Sequence, residues 1–246
     1  MQTGAMAAAH HEYLKAIRSE GETLLADVGE APDAAVPSCP GWDNLTLARH
    51  IGRIWHYVSR QARTTEPLDS DGAPAPGEDP LVWAADGLTA LLLTLTETDP
   101  QAQAWNWARN EPNTAAFWFR RMAQETVVHR WDADSATGDP VPITGWLAAD
   151  GIDEVMTMWL PRRRGQAKED IVGTAHLHAS DPSEGQPSEW FVELGPQGTV
   201  TCRYAHEKGD AVLRGASSDI LLRLWQRPSS VEEFGDETVR AALHAE

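Results

Sequence analysis

Residues 120–140 read RRMAQETVVHRWDADSATGDP, and the reading of this stretch decides the fold. Nothing breaks a helix between Arg120 and Ala136; then Gly138, Pro140 and Pro142 stop it, since proline lacks the donor a continuing helix needs. Inside the stretch Glu125 and His129 stand four residues apart. That spacing puts both side chains on one helix face, with Cβ atoms about 6 Å apart. On a solvated surface the pair would be ordinary polar contact. On the inner face of a bundle it would be two ligands of a metal site.

Upstream, three more helices precede this one. Leu14, Ile17, Leu24, Leu25 and Val28 recur at helical spacing between Met6 and Val28, as an amphipathic helix requires. APDAAVPSCPGWDN interrupts the pattern, and Asn44 is a cap residue for the next helix, whose stripe is Leu47, Ile51, Ile54 and Val58. A loop rich in Pro, Gly and Asp follows, and then a third helix from Leu81 to about Thr96. The fourth starts near Thr114. Four helices of this length predict a bundle.

Downstream the period changes. A helix is expected over Trp146–Trp159, ended by Pro161 and the RRR run. DIVGTAHLHAS, EWFVEL, GTVTCRY and DAVLRG then read as short strands, followed by the helical SSDILLRLWQR and a polar tail. The expected organisation is a helical domain over residues 1–139 and a smaller α+β domain over 140–246. The second should carry helices on one face of an antiparallel sheet.

Composition narrows the function classes. The 246 residues include 37 acidic and 20 basic ones, a net charge of −17. Such a surface repels nucleic acid and anionic membranes. The longest apolar run, GLTALLLTLTET, is too short to span a bilayer. Two cysteines, Cys39 and Cys202, suit a reducing cytoplasm and make no disulfide framework. The N-terminal residues lack the pattern of a signal peptide. The expectation is a cytoplasmic protein acting on small molecules, as a monomer or small homo-oligomer.

A third metal ligand would come from a neighbouring helix, and His50, beside the apolar stripe of the second helix, is the candidate. Two imidazoles and a carboxylate are good zinc donors, and three protein ligands leave a position open for water or substrate. His56 and the His10/His11 pair are weaker candidates. Most of the eleven tryptophans should pack the core; Trp105 and Trp107 lie in a connection, where one of them is placed to line a pocket.

The two motifs together resemble the mycothiol-dependent maleylpyruvate isomerase family of the DinB/YfiT-like metal-binding superfamily. SCPGWDNLTLARHIGRI carries the Pro40-Gly41-Trp42 turn and His50; the stretch quoted first carries Glu125, His129, Arg130, Trp131 and Asp132. DAVLRGASSDILLRLWQR is similar to the family's C-terminal domain. The resemblance implies a DinB-like four-helix bundle whose His50, Glu125 and His129 hold a divalent metal, usually zinc. It implies mycothiol, a low-molecular-weight thiol, as cosubstrate. It also suggests Arg227 as the catalytic cation for an anionic substrate, with Arg223 as the alternative and a solvated helix-end role equally open. Asp132 is read either as a hydrogen-bond partner of His129 or as a cap or interdomain ion pair.

The implied activity is an isomerase or S-transferase acting on a small carboxylated electrophile. The alternatives are a thiol-independent metal-dependent lyase, cyclase or hydrolase, or a non-catalytic metal-binding module.

Overall fold

The computed structural model describes residues 2–70, 72–108, 111–167 and 170–245, with side chains from His10 onward. The chain forms two compact units, one of residues 1–107 and 111–141, the other of 108–110 and 142–246.

The first unit holds four helices: α1 (Gln2–Glu30), α2 (Asn44–Gln61), α3 (Pro80–Glu97) and α4 (Ala116–Ser135). Helix α1 packs on α4 and α2 packs on α3. The second contact is close, since a Cβ at Gly52 would lie 2.9 Å from the Ala84 Cα. Asp43 caps α2, its Oδ1 accepting the Thr46 amide at 2.7 Å. The expected cap, Asn44, is instead the first helical residue; it is buried and donates Nδ2 to the Ala31 carbonyl at 3.0 Å. Asp79 caps α3, with Pro80 at the first turn, where its missing N–H costs nothing.

Helix α4 is unlike the others. It buries nearly its whole circumference, and the buried set includes Arg121, Gln124, His129, Arg130 and Asp132. Charged groups stay inside a protein when they are paired. Arg130 donates Nε to Glu20 Oε2 at 2.8 Å and Nη1 to the Val141 carbonyl at 2.6 Å, tying α4 to α1. Trp55, Trp83, Trp118 and Trp131 are core residues. Of the two connection tryptophans, Trp105 offers its carbonyl to Trp118 Nε1 at 2.9 Å, and the Trp107 ring sits edge-on to Phe117. His56 is held by the Trp83 carbonyl at 3.0 Å, and the His10 ring meets Phe119.

The second unit opens with α5 (Gly145–Glu154), a π-helical turn (Val155–Trp159) and α6 (Leu160–Ala167). Pro161 was expected to end this helix and does not. The helix widens just ahead of it, so that the Leu160 amide reaches the Val155 carbonyl, and such a π-turn is one of the devices that relieve a ladder interrupted by proline. Nor does RRR end it: all three arginines lie within α6, and Arg164 is fully buried and donates Nη2 to the Ile171 carbonyl at 2.6 Å.

Five strands follow: β1 (Gly173–Ala179), β2 (Glu189–Leu194), β3 (Val200–Arg203), β4 (Ala211–Gly215) and, beyond α7 (Ser217–Leu224), β5 (Glu232–Gly235). Their order in the sheet is β3-β2-β1-β4-β5. Three pairings are antiparallel, but β1 and β4 run parallel, so the sheet is mixed where an antiparallel one was expected. The cause is the link 204–210, which leaves β3 at one edge and crosses β2 and β1 to start β4 on the far side. Gly209 permits the crossing, because a Cβ there would lie 2.9 Å from the His176 nitrogen. The stretch read as a polar tail also has structure. It supplies β5 and α8 (Glu237–Ala242), and buries Val239, Ala242, Leu243 and Ala245. The fold is α+β.

Candidate metal centre

The turn ahead of α2 brings the first motif into position. The Trp42 amide donates to the Cys39 carbonyl at 3.0 Å, with Pro40 and Gly41 between and Gly41 at φ +85°. This is the turn in which proline sets the first corner and only glycine takes the second at no steric cost. It delivers Trp42 against His50, ring centroids 5.0 Å apart.

His50 from α2 and Glu125 and His129 from α4 converge. One ligand atom from each lies within 4.8 Å of the others. Glu125 Oε1 is 3.3 Å from His129 Nε2 and 3.7 Å from His50 Nε2. Four donors arranged tetrahedrally around zinc, at bonds of about 2.1 Å, are separated by about 3.4 Å. The spacing suits one cation.

The remaining atoms of these groups are occupied in ways that leave the converging atoms available. Glu125 Oε2 accepts Arg121 Nη2 at 2.7 Å. His129 Nδ1 lies 2.9 Å from Asp132 Oδ2, which fixes the Nδ1 proton, so that a metal displacing the other proton would meet Nε2 on the Glu125 side. Asp132 is fully buried. It also accepts Ser38 Oγ at 2.5 Å and faces Cys39 Sγ at 3.8 Å, which fastens the Pro-Gly-Trp turn to α4. Of the two readings of Asp132, this is the hydrogen-bond partner of His129, three positions along the same helix. The 2.9 Å contact shows that it reaches.

Charge inside the site is balanced. Burial opposes ionisation of Glu125, but hydrogen bonds from His129 and His50 and the Arg121 charge outweigh it, holding the carboxyl well below the usual range. Burial likewise opposes the charge on His129; Asp132 and Glu125 together outweigh it and push its pKa up to about 9. A pKa raised above the unfolded value near 6.5 contributes stability that is full below that pH and lost as pH climbs through 9. With chelator present, the urea midpoint should therefore fall between pH 6.5 and pH 9. That fall should shrink in His129→Gln, and an equal fall in both proteins would show that the imidazole is not held as described.

Two family models match the chain. The model described as the mycothiol maleylpyruvate isomerase N-terminal domain matches residues 14–134, and the corresponding C-terminal domain model matches 146–244. The chain belongs to the mycothiol maleylpyruvate isomerase family. Two solved structures share the family fold. One is the mycothiol-dependent maleylpyruvate isomerase, at 16% identity and TM-score 0.61; the other is a histidine-to-alanine mutant of it, at 14% and 0.62. Each alignment covers 92% of this chain and 94% of the other. No curated protein matches.

Arg227 belongs to the second unit of this family chain, just beyond α7. It is half-buried, and its Nη1 donates to the Trp225 carbonyl at 2.7 Å. Arg223, the other candidate, is committed to Glu233, with Nε donating to Oε1 at 2.6 Å. Cys202 lies in β3; burial first, and then the Asp153 charge, push its thiol up to about 12, so it is no nucleophile at neutral pH. Sequence reasoning missed Arg121 and Ser38. The signal for Arg121 was its place four residues before Glu125, one helical turn away on the same face.

Among the described residues no helix is long and apolar enough to cross a membrane.

Proposed function

We propose that this protein is a metal-dependent isomerase or S-transferase that uses a low-molecular-weight thiol, mycothiol, on a small carboxylated electrophile. The observation that carries the reading is the shared orientation of Glu125 Oε1 toward two imidazole Nε2 atoms, with the outer atoms of Glu125 and His129 tied to Arg121 and Asp132. Donors fixed from behind and converging in front make a ready divalent-cation site. Three protein ligands leave room for one more.

The bound cation, zinc by its donor set, would supply Lewis acidity that keeps an incoming thiol as thiolate at neutral pH. The chain's residues do the rest. Arg121 holds the Glu125 carboxylate in place, Asp132 sets the His129 tautomer, and Trp42 lies beside His50 as an apolar wall. Arg227 is proposed to take the substrate carboxylate, a role that a chain of net charge −17 must give to a specific cation. A thiolate adding to a cis double bond conjugated with a carbonyl forms a C–S bond and moves the alkene pair into an enolate. The former double bond turns as a single bond; the enolate then re-forms the alkene as the trans isomer and expels the thiolate. No protein cysteine is consumed.

Calorimetric titration of the zinc-loaded protein with mycothiol, followed by turnover of maleylpyruvate, tests this reading. Binding is expected in the wild type and should weaken by more than about tenfold in His50→Ala, the loss of one of three ligands. Equal thiol affinity in both proteins would reject the thiol's place at this site. Retained cation with no thiol binding would favour a water-activating metal enzyme instead.

A further inference from the structure

A second set of metal donors lies in the other unit, on the sheet face turned away from its apolar core. Along β1, Ala175, Leu177 and Ala179 are buried, while His176 and His178 take the opposite face, as the two-residue period of a strand requires. Glu189 on β2 pairs directly with His178 and so shares that face. His206 arrives from the link 204–210 that crosses the sheet. Glu189 Oε1 lies 2.8 Å from His178 Nδ1 and 3.0 Å from His206 Nδ1, and Oε2 contacts His176 Nε2. The His176 and His206 rings are 5.0 Å apart. One donor atom from each of the four residues lies within 4.8 Å of the others.

We propose that His176, His178, Glu189 and His206 form a second cation site, for zinc or a similar first-row divalent ion, which pins the crossing link to the sheet. Three imidazoles around one carboxylate give a donor set suited to such ions and poorly suited to calcium or magnesium, which take oxygen. Four protein ligands complete a tetrahedral shell, the mark of a structural site. His176 is buried beneath the link, whereas the His206 side chain is 76% exposed, so the cation would enter from that side. Burial opposes the charge on Glu189, but hydrogen bonds from His206, His176 and His178 outweigh it and keep the carboxyl below its ordinary range. It is therefore an anion at neutral pH. Occupancy would fix the link that sets the parallel β1/β4 pairing.

These four donors share no residue with the bundle triad, and metal analysis of separate variants keeps the two sites apart. The full chain is stripped with chelator, reloaded with zinc, desalted and analysed for metal in three forms: wild type, His50→Ala/His129→Ala, and His176→Ala/His178→Ala. The triad variant should keep about one zinc per chain at the sheet, and the sheet variant should hold about one fewer than wild type. Should the sheet variant fail to fold, the exposed His206→Ala and the conservative Glu189→Gln serve in its place. Each should weaken zinc binding by about tenfold or more in the triad-variant background. Cobalt(II) added to the triad variant should show the visible bands of four-coordinate geometry. Zinc should slow amide exchange in residues 204–210. Zinc content unchanged by the sheet substitutions, or exchange in the link indifferent to zinc, would overturn the proposal.

Discussion

Glu125→Ala is expected to abolish the cation binding proposed for the bundle triad and to remove a large part of the stability. Glu125 supplies the one anionic donor of the triad, and its second oxygen is the partner of Arg121, whose side chain is only 3% exposed. Truncating one member of a buried ion pair takes from the other a charge that helped to offset its desolvation, a penalty that can reach about 3 kcal/mol. His50→Ala should behave differently. His50 is 24% exposed and no buried charge depends on it alone, so its loss should remove metal affinity with little change in the urea midpoint. Denaturation of the two variants in chelator separates these effects. Equal stability in both would mean that the Arg121–Glu125 pair is not the structural support described.

Asp132→Asn should lower zinc affinity by about 10- to 100-fold while leaving the fold intact. That is the usual effect of losing the carboxylate behind a ligating histidine. The near-isosteric amide can still hydrogen-bond Ser38 and fill the same buried volume. It no longer offers a charge to hold the proton on His129 Nδ1, so the Nε2 lone pair is less securely presented. Competition against a chromophoric chelator measures the change. An affinity within about twofold of wild type would assign Asp132 to fastening the turn alone. Asp132→Ala, by contrast, should also destabilise, because it empties a fully buried position and strands the Ser38 hydroxyl.

Much of the fold was legible because it rests on local periodicity. Helices α1 to α3 announce themselves through apolar stripes, and β1 to β4 through short alternating runs. What was not legible depended on distant chain. The direction of β4 is set by the course of residues 204–210, and nothing inside DAVLRG says which neighbour it will meet. Helix α6 runs through Pro161 because a π-turn precedes it, a device with no residue signature. The tail looked polar because its buried residues, Val239, Ala242, Leu243 and Ala245, are few and follow a run rich in acidic residues.

The candidate site divides in the same way. The four-residue spacing of Glu125 and His129 was visible, but α4 has no clear polar face, being buried almost all round; the inward direction came from the motif resemblance, not from periodicity. Asp132 needed the rotamer geometry that only coordinates supply. The sheet cluster offered one hint, the alternation in His176-Leu177-His178, which placed two imidazoles on one strand face. Glu189 and His206 come from elsewhere in the chain, and only the crossing link brings them together.

Crystals grown with zinc and measured on both sides of the zinc absorption edge put the central claim to the most direct test. An anomalous peak is predicted between His50 Nε2, His129 Nε2 and Glu125 Oε1, about 2.1 Å from each. Zinc-soaked crystals with ordered side chains and no anomalous density among those three atoms would contradict it.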